Sequence, residues 1–358
     1  MREAEALAEQ LGDRRRLGQA YGYTAQLLSQ IIDYEPAVEM GRRALTIATD
    51  LGDSVLSAVA RLSLGRAFHE LGDYRSAMAL LRPNVIELAG DRARERFGQP
   101  ILLSVISRMW LAWCHAWQGQ FTESAALAEE CREIAEDVDQ PVDLITAAAT
   151  RGLHALLSGD LGRAIPVLEG ATALVRTHSI RTWAGASNAF LGYAYTLAGR
   201  LSEGVALLEA ALDVAAAIKY VPCVSLWTGW LAEANLLLRR RADALWHAER
   251  SLQLALEHKE SAYQAFALRI LGELATRREP LEAAMAEEYL RRAMAMAEER
   301  EMRPLIARCH LSLGPLYRRT GKTDQARQYI TTASTMFREM AMPLWRDQAE
   351  AAMRDLDG

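Results

Sequence analysis

Lysine is nearly absent from this chain. Only Lys219, Lys259 and Lys322 occur, so arginine supplies almost all of the 41 basic residues. Acidic residues outnumber them at 46, which leaves a formal charge of −5. With no basic excess to neutralise a row of phosphates, nucleic acid is excluded as the expected partner. Cysteine is scarce as well. Cys114, Cys131, Cys223 and Cys309 are scattered without a CxxC pair, which excludes a disulfide framework or a thiolate zinc site and fits reduced thiols in a cytoplasmic protein. No uninterrupted apolar run is long enough to cross a bilayer. The first residues, MREAEALAEQLGD, carry acids where a signal peptide would carry an apolar core. A membrane is therefore not an expected partner either.

What the chain does have is a repeat. Leu-Gly-Asp occurs at 11–13, 51–53 and 71–73, and a shortened Gly-Asp at 159–160. About five residues after each such turn comes a small residue: Ala37, Ala77, Ser124, Ala164, Gly204, Ala244, Ala286 and Ala326. The successive gaps are 40, 47, 40, 40, 40, 42 and 40 residues. Leucine followed by a small residue precedes most of these slots, as at Leu64-Gly65, Leu191-Gly192 and Leu313-Gly314. Apolar residues between the marks recur at helical spacing, as in Val205, Leu207, Leu208 and Leu212, so each unit is two helices.

The triplet is punctuation between helices. Its glycine ends one helix in the left-handed conformation, and its aspartate accepts from the free N–H groups of the next. The small residues mark helix crossings, since axes approach to roughly 8–10 Å only where side chains are small. Leu81, Leu168, Leu208, Leu290 and Ile330, each four after a slot, should fill the space beside those crossings.

Leu-Gly, then an aromatic (Phe68, Tyr195, Tyr317), then Gly, Ala, a large apolar residue and Ala resembles the tetratricopeptide repeat in a 40-residue form. The resemblance spans essentially the whole chain and is weakest in the fourth unit, where Arg151-Gly152 and Ala155 stand in for Leu-Gly and the aromatic. It implies an all-α superhelical solenoid whose first helices line a concave groove. Residues 1–13 read as the end of a second helix whose partner is missing, as in a fragment of a longer protein. Eight units follow at about 14–53, 54–91, 99–138, 141–178, 181–218, 221–258, 261–300 and 303–338, with a capping helix over 339–358. Pro83 and Pro315 should kink their helices. The units and the closing FREMAMPLWRDQAEAAMRDL are similar to the C-terminal repeat regions of bacterial signalling ATPases, including repeat-bearing nucleotide cyclases and maltose-regulator-type transcription activators. That likeness implies a non-catalytic regulatory domain binding a peptide or a partner domain, which includes the case of another domain of the same longer chain.

Catalytic and cofactor motifs are missing. Gly321-Lys322-Thr323 looks like the tail of a phosphate loop, but six residues separate Gly314 from Gly321 where four are needed and no strand precedes it. His69-Glu70 has Asp73 where a zinc-protease helix needs its second histidine. Cys309 and His310 are adjacent and so face different sides of a helix. No enzyme activity, cofactor or metal is expected.

Aromatic placement stands above this background. Trp110, Trp113 and Trp117 share one helical face. By the family pattern, Met109, Trp113, Trp117, Leu153, Phe190, Tyr193, Trp227 and Trp230 are candidate groove residues. Gln26, Arg66, Arg269, Glu273, Arg308 and Arg318 form a candidate polar rim. Two readings follow. The aromatics pack first helix against first helix as core, or they line an apolar groove for a peptide, with an apolar small molecule as the alternative ligand. A lysine-based clamp for an acidic tail finds Gly22, Gln26, Leu62 and Arg66 at its early-unit positions and no lysine nearby.

Overall fold

The computed structural model describes residues 2–220 and 222–357. Met1, Val221 and Gly358, which bound the first segment, the sixth unit and the capping helix delimited above, lie outside it. Every regular element described is helical. A lone helix α1 (Arg2–Gln10) is followed by α2 (Arg14–Gln30) and α3 (Tyr34–Leu51), then α4 (Ser54–Leu71) and α5 (Tyr74–Glu87). After a short 3₁₀ turn come α6 (Leu103–Trp117) with α7 (Phe121–Val138), α8 (Pro141–Ser158) with α9 (Leu161–Thr177), and α10 (Arg181–Leu197) with α11 (Leu201–Ala217). The chain continues through α12 (Val224–Leu237) with α13 (Arg241–Glu257), α14 (Ser261–Thr276) with α15 (Ala283–Glu299), and α16 (Arg303–Arg319) with α17 (Thr323–Glu339). It ends in α18 (Pro343–Asp357). Each helix packs on its successor, and each even-numbered helix from α2 onward also touches the next even-numbered one.

The Gly-Asp turns behave as their chemistry dictates. Gly72 adopts φ 82° after α4, and Asp73 accepts from the Ser76 N–H at 3.0 Å to start α5. Asp53 accepts from the Val55 and Leu56 N–H groups at 3.1 and 3.0 Å. The crossings follow the small-residue rule just as directly. A Cβ on Gly65 would lie 2.7 Å from Leu81 Cγ, and one on Gly314 would lie 2.5 Å from Ile330 Cγ1. The fourth unit, where the sequence pattern is faintest, makes the same contact: a Cβ on Gly152 would meet Leu168 Cδ2 at 2.3 Å. Leu81, Leu168, Leu208, Leu290 and Ile330 are thus knobs, each seated on a glycine of the preceding helix. Pro83 and Pro315 fall inside α5 and α16, and Pro166 inside α9; all three helices run on past them.

One property of the superhelix is absent from the local pattern: it closes on itself. The end of α4 meets the start of α14, five helix pairs further on, where a Cβ on Gly72 would sit 3.3 Å from Ala262 Cβ. The end of α6 meets α16 in the same way through Gly119 and Pro304, and the end of α8 meets α18 through Gly159 and Leu344. Lys259 pairs with Glu35 at 2.7 Å and Arg75 with Glu301 at 2.5 Å across this seam. Successive turns of the solenoid therefore lie against each other, and the first helices crowd around its axis.

Candidate functional site

That crowding decides the fate of the aromatic residues. Met109, Trp113, Trp117, Leu153, Phe190, Tyr193, Trp227 and Trp230 are 1–6% exposed. They touch each other across helices. Trp113 meets Phe190 edge-on at 5.8 Å, Phe190 meets Trp230 at 6.1 Å, and Tyr193 stacks on Trp230 at 4.5 Å. Trp117 reaches across the seam to Phe266 at 5.5 Å, while Trp227 stacks with Tyr220 at 6.2 Å. The space left among Trp117, Tyr193, Trp230, Phe266, Leu156 and Trp345 is about 20 Å³, room for a single water. Of the two readings of these side chains, packed core and open groove, their burial and ring contacts agree with the first. The superhelix winds tightly enough for these side chains to fill its axis, and they form the core of the molecule.

The expected polar rim divides between the two ends. Gln26 and Arg66 are half-buried on α2 and α4. Arg66 lies over the Trp110 ring at 5.6 Å and belongs to a cluster at the seam. There Tyr34 donates to Glu260 at 3.2 Å and Tyr263 donates to Glu70 at 3.4 Å. Ser225 also donates to Glu260, and the Cys223 thiol lies 3.8 Å from Glu70. Glu70 and Glu260 are both buried, so two carboxylates share a poorly solvated site between successive superhelical turns.

Burial pushes the Glu70 carboxyl up from 4.5 to about 7. Arg66 opposes the shift, Glu260 adds to it, and the Tyr263 and Cys223 hydrogen bonds oppose it. A carboxyl whose folded-state pKa is raised contributes stability below its unfolded value, and that contribution is lost as pH rises through the folded one. The window here runs from about 4.5 to about 7, and the change across it is about 3 kcal/mol. The Glu70→Gln variant, neutral at every pH, should therefore melt higher than the parent at pH 8 and close to it at pH 4.5. Thermal denaturation at both pH values measures this. A difference in melting temperature that does not change with pH would show that the Glu70 carboxyl has the same pKa in the folded and unfolded chains.

Arg269, Glu273, Arg308 and Arg318 converge at the opposite end. They line a cleft of about 630 Å³ between α10, α12, α14, α16 and α18, within the range of roughly 300–1,000 Å³ usual for ligand sites. Its floor is an ion network. Glu233 accepts from Arg269 Nη2 at 2.9 Å, from Tyr193 at 3.0 Å and from Arg308. Arg308 also donates to the Tyr193 hydroxyl at 3.1 Å and lies over the Trp345 ring at 4.2 Å. Glu273 accepts from Arg269 and, at 2.7 Å, from Ser312. Burial alone would lower the Arg269 pKa, but Glu233 and Glu273 reverse this and hold it firmly charged. Burial would likewise raise the Glu273 carboxyl, and Arg269 and Arg277 more than offset it, so that it lies well below the usual carboxylate range.

Glu233 and Trp345 were not anticipated from the sequence. The signal for Glu233 is a lone acid in the otherwise apolar run VSLWTGWLAEANLL. For Trp345 there was only a large apolar residue in the capping helix. Arg308 and Trp345 face both the sealed axial void and the open cleft, so this pair forms the partition between them.

No family model matches the sequence, and no curated protein does. Solved structures share the fold. A Rap protein complexed with competence and sporulation factor is 12% identical with a TM-score of 0.61, over 95% of this chain and 96% of that one. The Rap conjugation gene regulator of plasmid pLS20, in complex with the Phr* peptide, is 13% identical with a TM-score of 0.63, over 93% and 92%. A signal transduction ATPase with numerous domains, carrying a tetratricopeptide repeat sensor, from Pyrococcus horikoshii is 14% identical with a TM-score of 0.51. The match covers 96% of this chain and 50% of that one. At such identities the likeness is one of architecture: this chain has the all-α fold of tetratricopeptide-like repeat solenoids.

Proposed function

We propose that this chain is a regulatory interaction domain that receives a short extended peptide in the cleft between α10, α12, α14, α16 and α18. The carrying observation is the register of the lining. Leu197, Leu237, Arg277 and Arg319 stand at one and the same position of four successive units, and Glu233, Glu273 and Pro315 share another position one turn earlier. Trp345 and Gln348 of α18 close the far side. A ligand lying across these helices meets equivalent positions at each unit, which suits an extended segment better than a compact molecule. The Phr* peptide complex of the pLS20 Rap regulator, which shares this architecture, supports the reading. An apolar small molecule among the aromatics, the alternative weighed from the sequence, has only the 20 Å³ void to enter.

A thermal-shift screen tests this, because a ligand that binds only the folded chain raises its melting temperature with occupancy. Members of a decapeptide library should shift the parent and fail to shift Leu237→Asp. Leu237 is 45% exposed in the cleft, so the fold tolerates the change. Shifts with metabolites alone, or peptide shifts that survive Leu237→Asp, would overturn the assignment.

A further inference from the structure

We infer that the segment received by this cleft is acidic; this rests on the peptide reading above and names its ligand class. Five arginines line the cleft against two glutamates. Both glutamates are already engaged at the floor, Glu233 by Arg269 and Arg308 and Glu273 by Arg269. The arginines of the walls are not matched in this way. Arg277 comes no nearer than 3.7 Å to Glu273. Arg318 meets no carboxylate among the described residues, and its guanidinium donates to the Asp355 carbonyl at 3.1 Å. Arg319 donates to the largely exposed Glu279 and to the Thr276 and Arg278 carbonyls, so Arg318 is the guanidinium with no carboxylate of its own. At the floor, the Arg269 Nε–H is buried with no acceptor.

The cleft is thus a basic pocket in a chain whose formal charge is −5. Guanidinium forks match carboxylate and phosphoryl oxygens in pairs, through charge-assisted hydrogen bonds stronger than neutral ones. Leu197, Leu237 and Leu311 on the same walls offer apolar contact between the charges. The fitting occupant is a short segment carrying anionic groups beside a large apolar side chain. The negative charge of the whole chain opposes the approach of a long polyanion. Arg318 and Arg319 also lie in the last turn of α16, where positive charge complements the helix dipole. That role alone would affect stability and leave ligand preference untouched.

Fluorescence anisotropy on the full chain separates these roles. Dye-labelled decapeptides of equal apolar content would carry paired glutamates, phosphoserines, glutamines or lysines. The glutamate or the phosphoserine set should bind at least about tenfold tighter than the glutamine set, and Arg318→Glu should weaken it about tenfold, a change in preference that a loss of stability through the helix dipole alone would not produce. Whichever of the two binds more tightly identifies the source of the anion. Equal binding of glutamine or lysine peptides, or indifference to Arg318→Glu, would overturn the acidic class while leaving peptide binding in place. If no set binds, the peptide reading and this inference fall together.

Discussion

Replacing Trp230 by alanine is expected to lower the unfolding free energy by about 3–5 kcal/mol. The indole is 1% exposed, stacks on Tyr193 at 4.5 Å and meets Phe190 edge-on at 6.1 Å. Its removal deletes the contact surface of two aromatic partners at once. It also leaves a hole beside a void that already exists, and the surrounding helices cannot collapse into it because the knob-on-glycine crossings fix their spacing. Trp246 on α13 supplies the control. It is 61% exposed, so Trp246→Ala should stay within about 0.5 kcal/mol. Urea denaturation of both variants distinguishes the two readings of the aromatic residues. A cost below about 1 kcal/mol at Trp230 would mean that solvent already reaches it, and the axis would then be an open groove after all.

The contrast between these two tryptophans shows where sequence reasoning stops. Both are large apolar residues on amphipathic helices, and the 40-residue period places each within its unit. The period is legible because it is local: two helices, two turns, a glycine under a leucine. Even the fourth unit, whose Arg151-Gly152 departs from Leu-Gly, keeps Gly152 under Leu168. What the period does not encode is how far each unit rotates on the last, and that small angle sets whether first helices spread around a groove or close on the axis. The seam contacts that record the closure join residues such as Tyr34 and Glu260, 226 positions apart, and leave no spacing to read. The candidate rim fared differently. Arg269, Glu273, Arg308 and Arg318 were visible as polar residues in a mostly apolar register, and they share one cleft. Their counter-charge, Glu233, was not visible, because its donors are assembled only once three other helices surround it.

The second large effect is expected at that unseen acid. Glu233 accepts from Arg269, Arg308 and Tyr193, and the two guanidinium groups are only 2% and 7% exposed as residues. In Glu233→Gln the shape is retained and the charge is lost, so two buried cations face each other with Glu273 as their remaining acid. Breaking a buried pair by removing one partner costs about 3–5 kcal/mol, chiefly through the charge left behind. Replacing the whole group by neutral residues of similar volume, with Glu233→Leu, Arg269→Met, Glu273→Gln and Arg308→Met combined, should recover most of that loss, since desolvation of the ions is then avoided. Urea denaturation of the single and quadruple variants gives both numbers. If the quadruple variant is as unstable as the single one, the network contributes packing rather than charge balance. If Glu233→Gln is nearly neutral, water reaches the floor of the cleft and the two arginines are not committed to Glu233. In the expected case the floor is electrically closed, and the guanidinium groups free to meet a ligand are those on the walls.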